Sequence, residues 1–225
     1  MKKLFSVTLL LASFSAYAGN NDIYLTQTGD GLTLTIDQVG ESNTVGESDA
    51  RVTLSGSNMT VDIDQLGDSN SVAASILQAN STSYTYTVTG DSNEATFTVG
   101  GTGDTQNSDF DFAAIGDSNA LTFTQGDSAT ATGGNQDFDV TGTSNDLNVK
   151  CNVVGCINDW TVDGNSNDID TTQSGQSDHQ VTFDLTGGSN TVTVDQTDTV
   201  STNVADITAT TSSSTIDVDQ CASGC

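Results

Sequence analysis

Proline is missing altogether from this chain of 225 residues, lysine and arginine together number four, and histidine and tryptophan occur once each. Each scarcity excludes something. Proline has no N–H to give to a sheet ladder, so long continuous sheets leave it out, whereas disordered secreted linkers usually carry it. With 30 Asp+Glu and a formal charge of −26, the chain repels phosphate backbones and anionic lipid head groups, so nucleic acid is not an expected partner. The single histidine, His179, stands away from the cysteines and gives zinc no ligand cluster. No nucleophile elbow and no phosphate loop is present, and acidic pairs are too common for any two to mark a general acid and base. A polysaccharide-cleaving β-helix would need three-strand coils and long loops. The expectation is therefore a non-enzyme without metal or cofactor.

Long apolar runs are also lacking, except at the start. Lys2 and Lys3 precede an apolar stretch over residues 4–14, and Ala16-Tyr17-Ala18 forms a small-x-small site before Gly19. That pattern is a secretory signal peptide, residues 1–18, too short to span a bilayer. No membrane insertion is expected elsewhere. Loss of Lys2 and Lys3 would take the charge from −26 to −28, leaving Arg51 and Lys150 as cations. Export permits disulfides among Cys151, Cys156, Cys221 and Cys225. Their spacing suggests the local pairs 151–156 and 221–225, with three connectivities formally open. Neither pair could staple residues 19–150.

What is present is polar without being highly charged: Thr, Ser, Asn, Asp, Gln and Gly dominate, and charged residues are 15% of the chain. They are arranged periodically. "IDQVGESNTV" at Ile36 returns as "IDQLGDSNSV" at Ile63, and the turn GxSN recurs with its glycine at Gly40, Gly67, Gly90, Gly116, Gly142, Gly164 and Gly187. A worn copy, Thr211-Ser212-Ser213-Ser214, follows. Successive glycines are 27, 23, 26, 26, 22 and 23 residues apart, the period of stacked supersecondary units.

Apolar residues alternate with Thr, Asp, Ser and Asn on both sides of each turn, as in Tyr84/Tyr86/Val88 before Gly90 and Ala95/Phe97/Val99 after Asn93. Alternation by two is the mark of a half-buried strand, and the three-and-four spacing of a helix is not seen. Two short strands bury no core alone. Stacked, they predict an all-β, two-sheeted parallel β-solenoid of about eight strand–turn–strand coils over residues 19–220, with 221–225 as a cysteine-containing tail.

Stacking places equal positions in columns. One holds Ile36, Ile63, Tyr86, Phe112, Phe138, Trp160, Phe183 and Ile207. The turn asparagines Asn43, Asn70, Asn93, Asn119, Asn145, Asn167 and Asn190 form another. Gln27, Gln38 and Gln65 are assigned to a third column, and Gln125, Gln173, Gln196 and Gln220 to a fourth. An inward amide is costly unless bonded, and copies above and below can bond it.

The phrases "QVGESNTV" and "QLGDSNSV", at Gln38 and Gln65, follow Gln-x-Gly-x-x-Asn-x-Val. They resemble the repeat of the curlin family, Gln-x-Gly-x-x-Asn-x-Ala with a further Gln after the second strand, and the pattern extends over about residues 21–220. The resemblance implies an extracellular amyloid-like fibre subunit on the surface of a Gram-negative-type bacterium, mediating adhesion in a biofilm. It implies self as the main partner, with an outer-membrane secretion pore and a nucleator subunit besides. The family's Gly- and Asn-rich leader is lacking here, and the aromatic columns and cysteines are additions. The alternative expectation is a non-polymerising adhesin or phage-fibre-like binding solenoid with capped ends. Thr96/Thr98 and Thr122/Thr124 also resemble a small ice-binding array, and Asp68, Asp91 and Asp117 recur at one turn position that could meet calcium, though without the calcium-roll nonapeptide.

Overall fold

Alternate strands of the chain go to alternate sheets. The computed structural model describes residues 8–10, 22–40, 44–46, 52–100, 107–126, 133–174, 178–197 and 203–221, with backbone alone for 8–10, 22, 75–80 and 221. Sheet A consists, in spatial order, of Thr8–Leu10, Thr33–Val39, Thr60–Leu66, Ser83–Thr89, Asp109–Ile115, Asn135–Thr141, Ile157–Asp163, Gln180–Gly188 and Val204–Ser212. Sheet B opens with two split rows, Asp22–Ile23 with Thr26–Thr28, then Thr44–Val45 with Val52–Ser57. It continues through Ser71–Asn80, Glu94–Val99, Ala120–Gln125, Asp146–Cys151, Asp168–Ser174, Thr191–Thr197 and Thr215–Cys221. Every pairing is parallel, and spatial order follows chain order in both sheets.

This is the two-sheeted parallel β-solenoid that the alternation predicts. Seven windings are described from strand through turn to strand; the one that begins at Thr33 has its turn residues 41–43 outside the described residues. Register is fixed by burial. A slip of one residue would turn every inward side chain outward, and in Asn135–Thr141 the strict alternation leaves Gln136, Phe138 and Val140 buried and Asp137 and Asp139 exposed.

The interior is a line of rings. Tyr86, Phe112, Phe138, Trp160 and Phe183 are successive register partners along sheet A. Phe138 and Trp160 stack with centroids 4.1 Å apart, and Trp160 and Phe183 at 5.4 Å. From the facing sheet Phe97 and Phe123 interleave, with Phe110 and Phe123 stacked at 4.2 Å. Full burial of such a ring contributes about 1.5–3 kcal/mol, which offsets the ordering of long strands that share no helix or bundle core.

The tight turn explains its own letters. At Gly67, Gly90, Gly116 and Gly142 φ lies between +129° and +142°, and a Cβ there would come within 1.9–2.1 Å of the preceding winding's glycine carbonyl. Only glycine fits. The serine two positions on is left-handed in every described GxSN copy, from Ser69 at φ 62° to Ser189 at 58°. Neither the recurring glycine nor the alternation around the turn discloses this serine conformation.

Candidate assembly interface: amide ladders and the last winding

The asparagines of the turn bond to main chain as much as to each other. The backbone N–H of Asn70 donates to Asn93 Oδ1 at 2.7 Å, Asn93 to Asn119 at 3.0 Å, and Asn119 to Asn145 at 2.8 Å. The series goes on from Asn145 to Asn167 at 3.0 Å and from Asn167 to Asn190 at 2.9 Å. Five of the six Nδ2 groups donate, at Asn93 and Asn145 to the next asparagine's Oδ1 and at Asn70, Asn167 and Asn190 to a turn glycine carbonyl, while Asn119 Nδ2 is buried without a partner. All six are buried. Asn43 lies outside the described residues. At the worn turn Ser214 Oγ takes over, accepting from the Asn190 N–H at 3.1 Å.

A second ladder runs along the outside of the turn in the opposite sense. Asp68 Oδ1 accepts from the Asp91 N–H at 3.3 Å, Asp91 from Asp117 at 2.8 Å, and Asp117 from Thr143 at 2.6 Å. These carboxylates, weighed in the sequence as calcium contacts, are acceptors for the next winding's backbone.

The glutamine ladders join side chain to side chain. Gln65 Nε2 donates to Gln38 Oε1 at 2.7 Å, and Tyr86 donates its hydroxyl to Gln65 Oε1 at 2.7 Å. Burial pushes the Tyr86 phenol well above its ordinary pKa, so it stays a donor. Gln196 Nε2 donates to Gln173 Oε1, and Gln220 Nε2 to Gln196 Oε1, both at 2.9 Å. Gln125 belongs to the same column but bonds across the interior to Gln136 Nε2, and between Gln125 and Gln173 the register position is Cys151.

One assignment needs correcting. Gln27 does not share a column with Gln38 and Gln65; it pairs in register with Leu54 in sheet B. Through Leu54, Ile76, Val99 and Gln125 that register line leads to Gln173, Gln196 and Gln220. The reason is that residues 26–28 follow a turn asparagine position, not precede one. The signal was available: Asn21 stands two residues before Ile23, the offset of Asn70 from Val72.

Cys151 and Cys156 form a disulfide, buried against Val153, closing the connection between Asp146–Cys151 and Ile157–Asp163. The pairing of Cys221 with Cys225 lies outside the described residues. His179 is buried beside this connection, its Nδ1 accepting the Cys156 N–H at 3.3 Å.

The outer faces are acidic in rows. Asp111, Asp137 and Asp159 are consecutive register partners on sheet A, as are Asp37 and Asp64. Partial desolvation, then Asp139, Asp111 and Asp159, raise the Asp137 pKa against a backbone hydrogen bond that lowers it. Asp62 is raised by desolvation and by Asp64 and Asp37, and Asp168 by desolvation and by Asp170 and Asp146. Among the described residues no group of His, Cys, Asp and Glu is placed to hold a metal ion.

In the last described winding the inward side chains are partly exposed. Val192 and Val194 are 0% exposed, while Ile216 and Val218, their register partners one layer on, are 37% and 38% exposed. Gln220, Ala209 and the rest of this winding are half-buried or exposed too. No family model, no curated protein and no solved structure matches the chain.

Proposed function

We propose that the chain is a secreted structural protein that self-assembles, end to end, into a curli-like amyloid fibre or biofilm matrix and mediates adhesion there. The observation that carries this reading is the last described winding, whose inward Ile216 and Val218 are 37% and 38% exposed where their register partners one layer below, Val192 and Val194, are 0% exposed. Sheet-edge N–H and C=O groups on Val204–Ser212 and Thr215–Cys221 add a hydrogen-bonding template to that apolar face. The curlin-like phrases at Gln38 and Gln65, with a signal peptide before them, support the same reading and its location outside the cell. On this reading the partners are further copies, with an outer-membrane pore for export and a surface nucleator.

The second reading is a single-copy adhesin or phage-fibre-like binding solenoid with a capped end. The acidic rows favour it, since outward Asp at consecutive layers opposes lateral aggregation. Screening reconciles them: at 1 M salt the Debye length is about 3 Å, so fibres should grow faster in high salt than in low. Thioflavin binding, negative-stain imaging and fibre diffraction on the purified chain decide the matter. Fibres with spacings near ~4.8 Å and ~10 Å support assembly; a monomer that persists for days at high protein and salt overturns it. Ile216→Lys should leave the monomer folded and abolish growth.

A further inference from the structure

The two ends of the rod are not equivalent, and the difference fixes how copies would meet. From Thr33 onward sheet A contains eight strands, whereas sheet B has nine rows, because Asp22–Ile23 and Thr26–Thr28 precede the first of those sheet A strands. The ninth row of sheet A is Thr8–Leu10, paired parallel with Thr33, Leu34 and Thr35. At the opposite end the last described strands of the two sheets belong to one winding, Val204–Ser212 and Thr215–Cys221.

The inward letters of the two terminal rows of sheet B match. Ile23, Leu25 and Gln27 occupy the register positions of Ile216, Val218 and Gln220. All three of the first set are only half-buried. The amide ladder also has a direction: each later glutamine donates Nε2 to the Oε1 of the one before, from Gln196 to Gln173 and from Gln220 to Gln196. The next acceptor in that series is Gln220 Oε1. The next donor of the same column, in a further copy, is Gln27 Nε2.

We propose that, within the end-to-end assembly argued above and resting on it, Thr215–Cys221 of one copy pairs in register with Asp22–Thr28 of the next. Gln27 then donates to Gln220, and Ile23 and Leu25 cover Ile216 and Val218. This joint leaves one row of sheet A between Val204–Ser212 and Thr33–Val39 without a strand once export has removed the segment that includes Thr8–Leu10, so exported copies join through sheet B.

The test uses the exported form, residues 19–225, and seeded elongation followed by thioflavin. Gln27→Glu sets a carboxylate against the Gln220 carbonyl, and Gln220→Lys sets an ammonium into the joint; each should slow elongation about tenfold or more. The double variant should return to within about threefold of the original rate, because the two charges meet. If the double variant is as slow as the two effects multiplied, the register is wrong, while fibres from the unaltered chain still uphold the assembly reading. If the unaltered chain forms no fibre, that reading fails first.

Discussion

The last two described windings are written with nearly the same letters and live in different environments. Thr191–Thr197 reads TVTVDQT and Thr215–Cys221 reads TIDVDQC, yet Val194 is 0% exposed and Val218 is 38% exposed. Sequence alternation sets which way a side chain points; only a neighbour at each side makes that direction a burial. In a solenoid the neighbour is the next copy of the repeat, so a terminal repeat with interior lettering is an unfinished core. In the last described winding the inward positions hold Ile207, Ile216 and Val218, interior letters without a described neighbour on one side.

The contrast can be broken first where it is strongest. Trp160 is fully buried between Phe138 and Phe183, and Trp160→Ala should destabilise the monomer by about 3–5 kcal/mol. At the open end Val218→Ala should cost about 0.5 kcal/mol or less, while Val194→Ala, one layer inward, should cost about 2 kcal/mol. Urea unfolding of the monomer at low salt, followed by far-ultraviolet circular dichroism, measures all three. Equal costs at Val194 and Val218 would mean that the last winding is covered in solution.

The turn sharpens the same comparison at lower amplitude. Asn145 accepts from Asn119 and donates to Asn167 from within the rod. Its replacement by Ala strands a buried N–H on the layer below, so Asn145→Ala should cost about 1–3 kcal/mol. Ser214 does the corresponding service for Asn190 at a part-buried site. There water can replace the lost acceptor, and Ser214→Ala should cost about 0.5 kcal/mol. The same urea series reads both, and a larger loss at Ser214 would show that the worn turn, and not the asparagine ladder, holds the end together.

Much of this was legible in the letters, for a physical reason. Period-two alternation on both sides of a recurring GxSN fixes strand, turn and inward face at once, and a constant turn forces the columns into register, so Tyr86, Phe112, Phe138, Trp160 and Phe183 could be placed on one line. What could not be read was chemistry that depends on the third dimension within a winding. Gln136 bonds across the interior to Gln125, and Tyr86 caps the Gln38–Gln65 ladder, because opposed strands bring unlike positions together. The left-handed serines escaped notice since glycine satisfies the same turn grammar. The place of Gln27 in sheet B is hidden in the letters because Asn21, two residues before Ile23, lies in a stretch whose composition reads as the border of a signal peptide.

The smallest expected effect concerns charge, and its sign follows from the acidic rows of the middle of the rod. Asp62, Asp137 and Asp168 have pKa values above the ordinary carboxylate value of 3.8, chiefly through partial desolvation and then through neighbouring carboxylates. The folded chain therefore holds these protons more tightly than the unfolded chain does. Folding is penalised at neutral pH, and the penalty is relieved as pH falls through the raised values toward about 4, below which both states are protonated. The urea midpoint at fixed salt should consequently rise on going from pH 7 to about pH 4, the reverse of ordinary acid denaturation. Asp137→Asn should raise the midpoint at pH 7 and flatten part of this slope, because it removes one charge from the row of Asp111, Asp137 and Asp159. A midpoint that falls on acidification would overturn this account of the acidic rows.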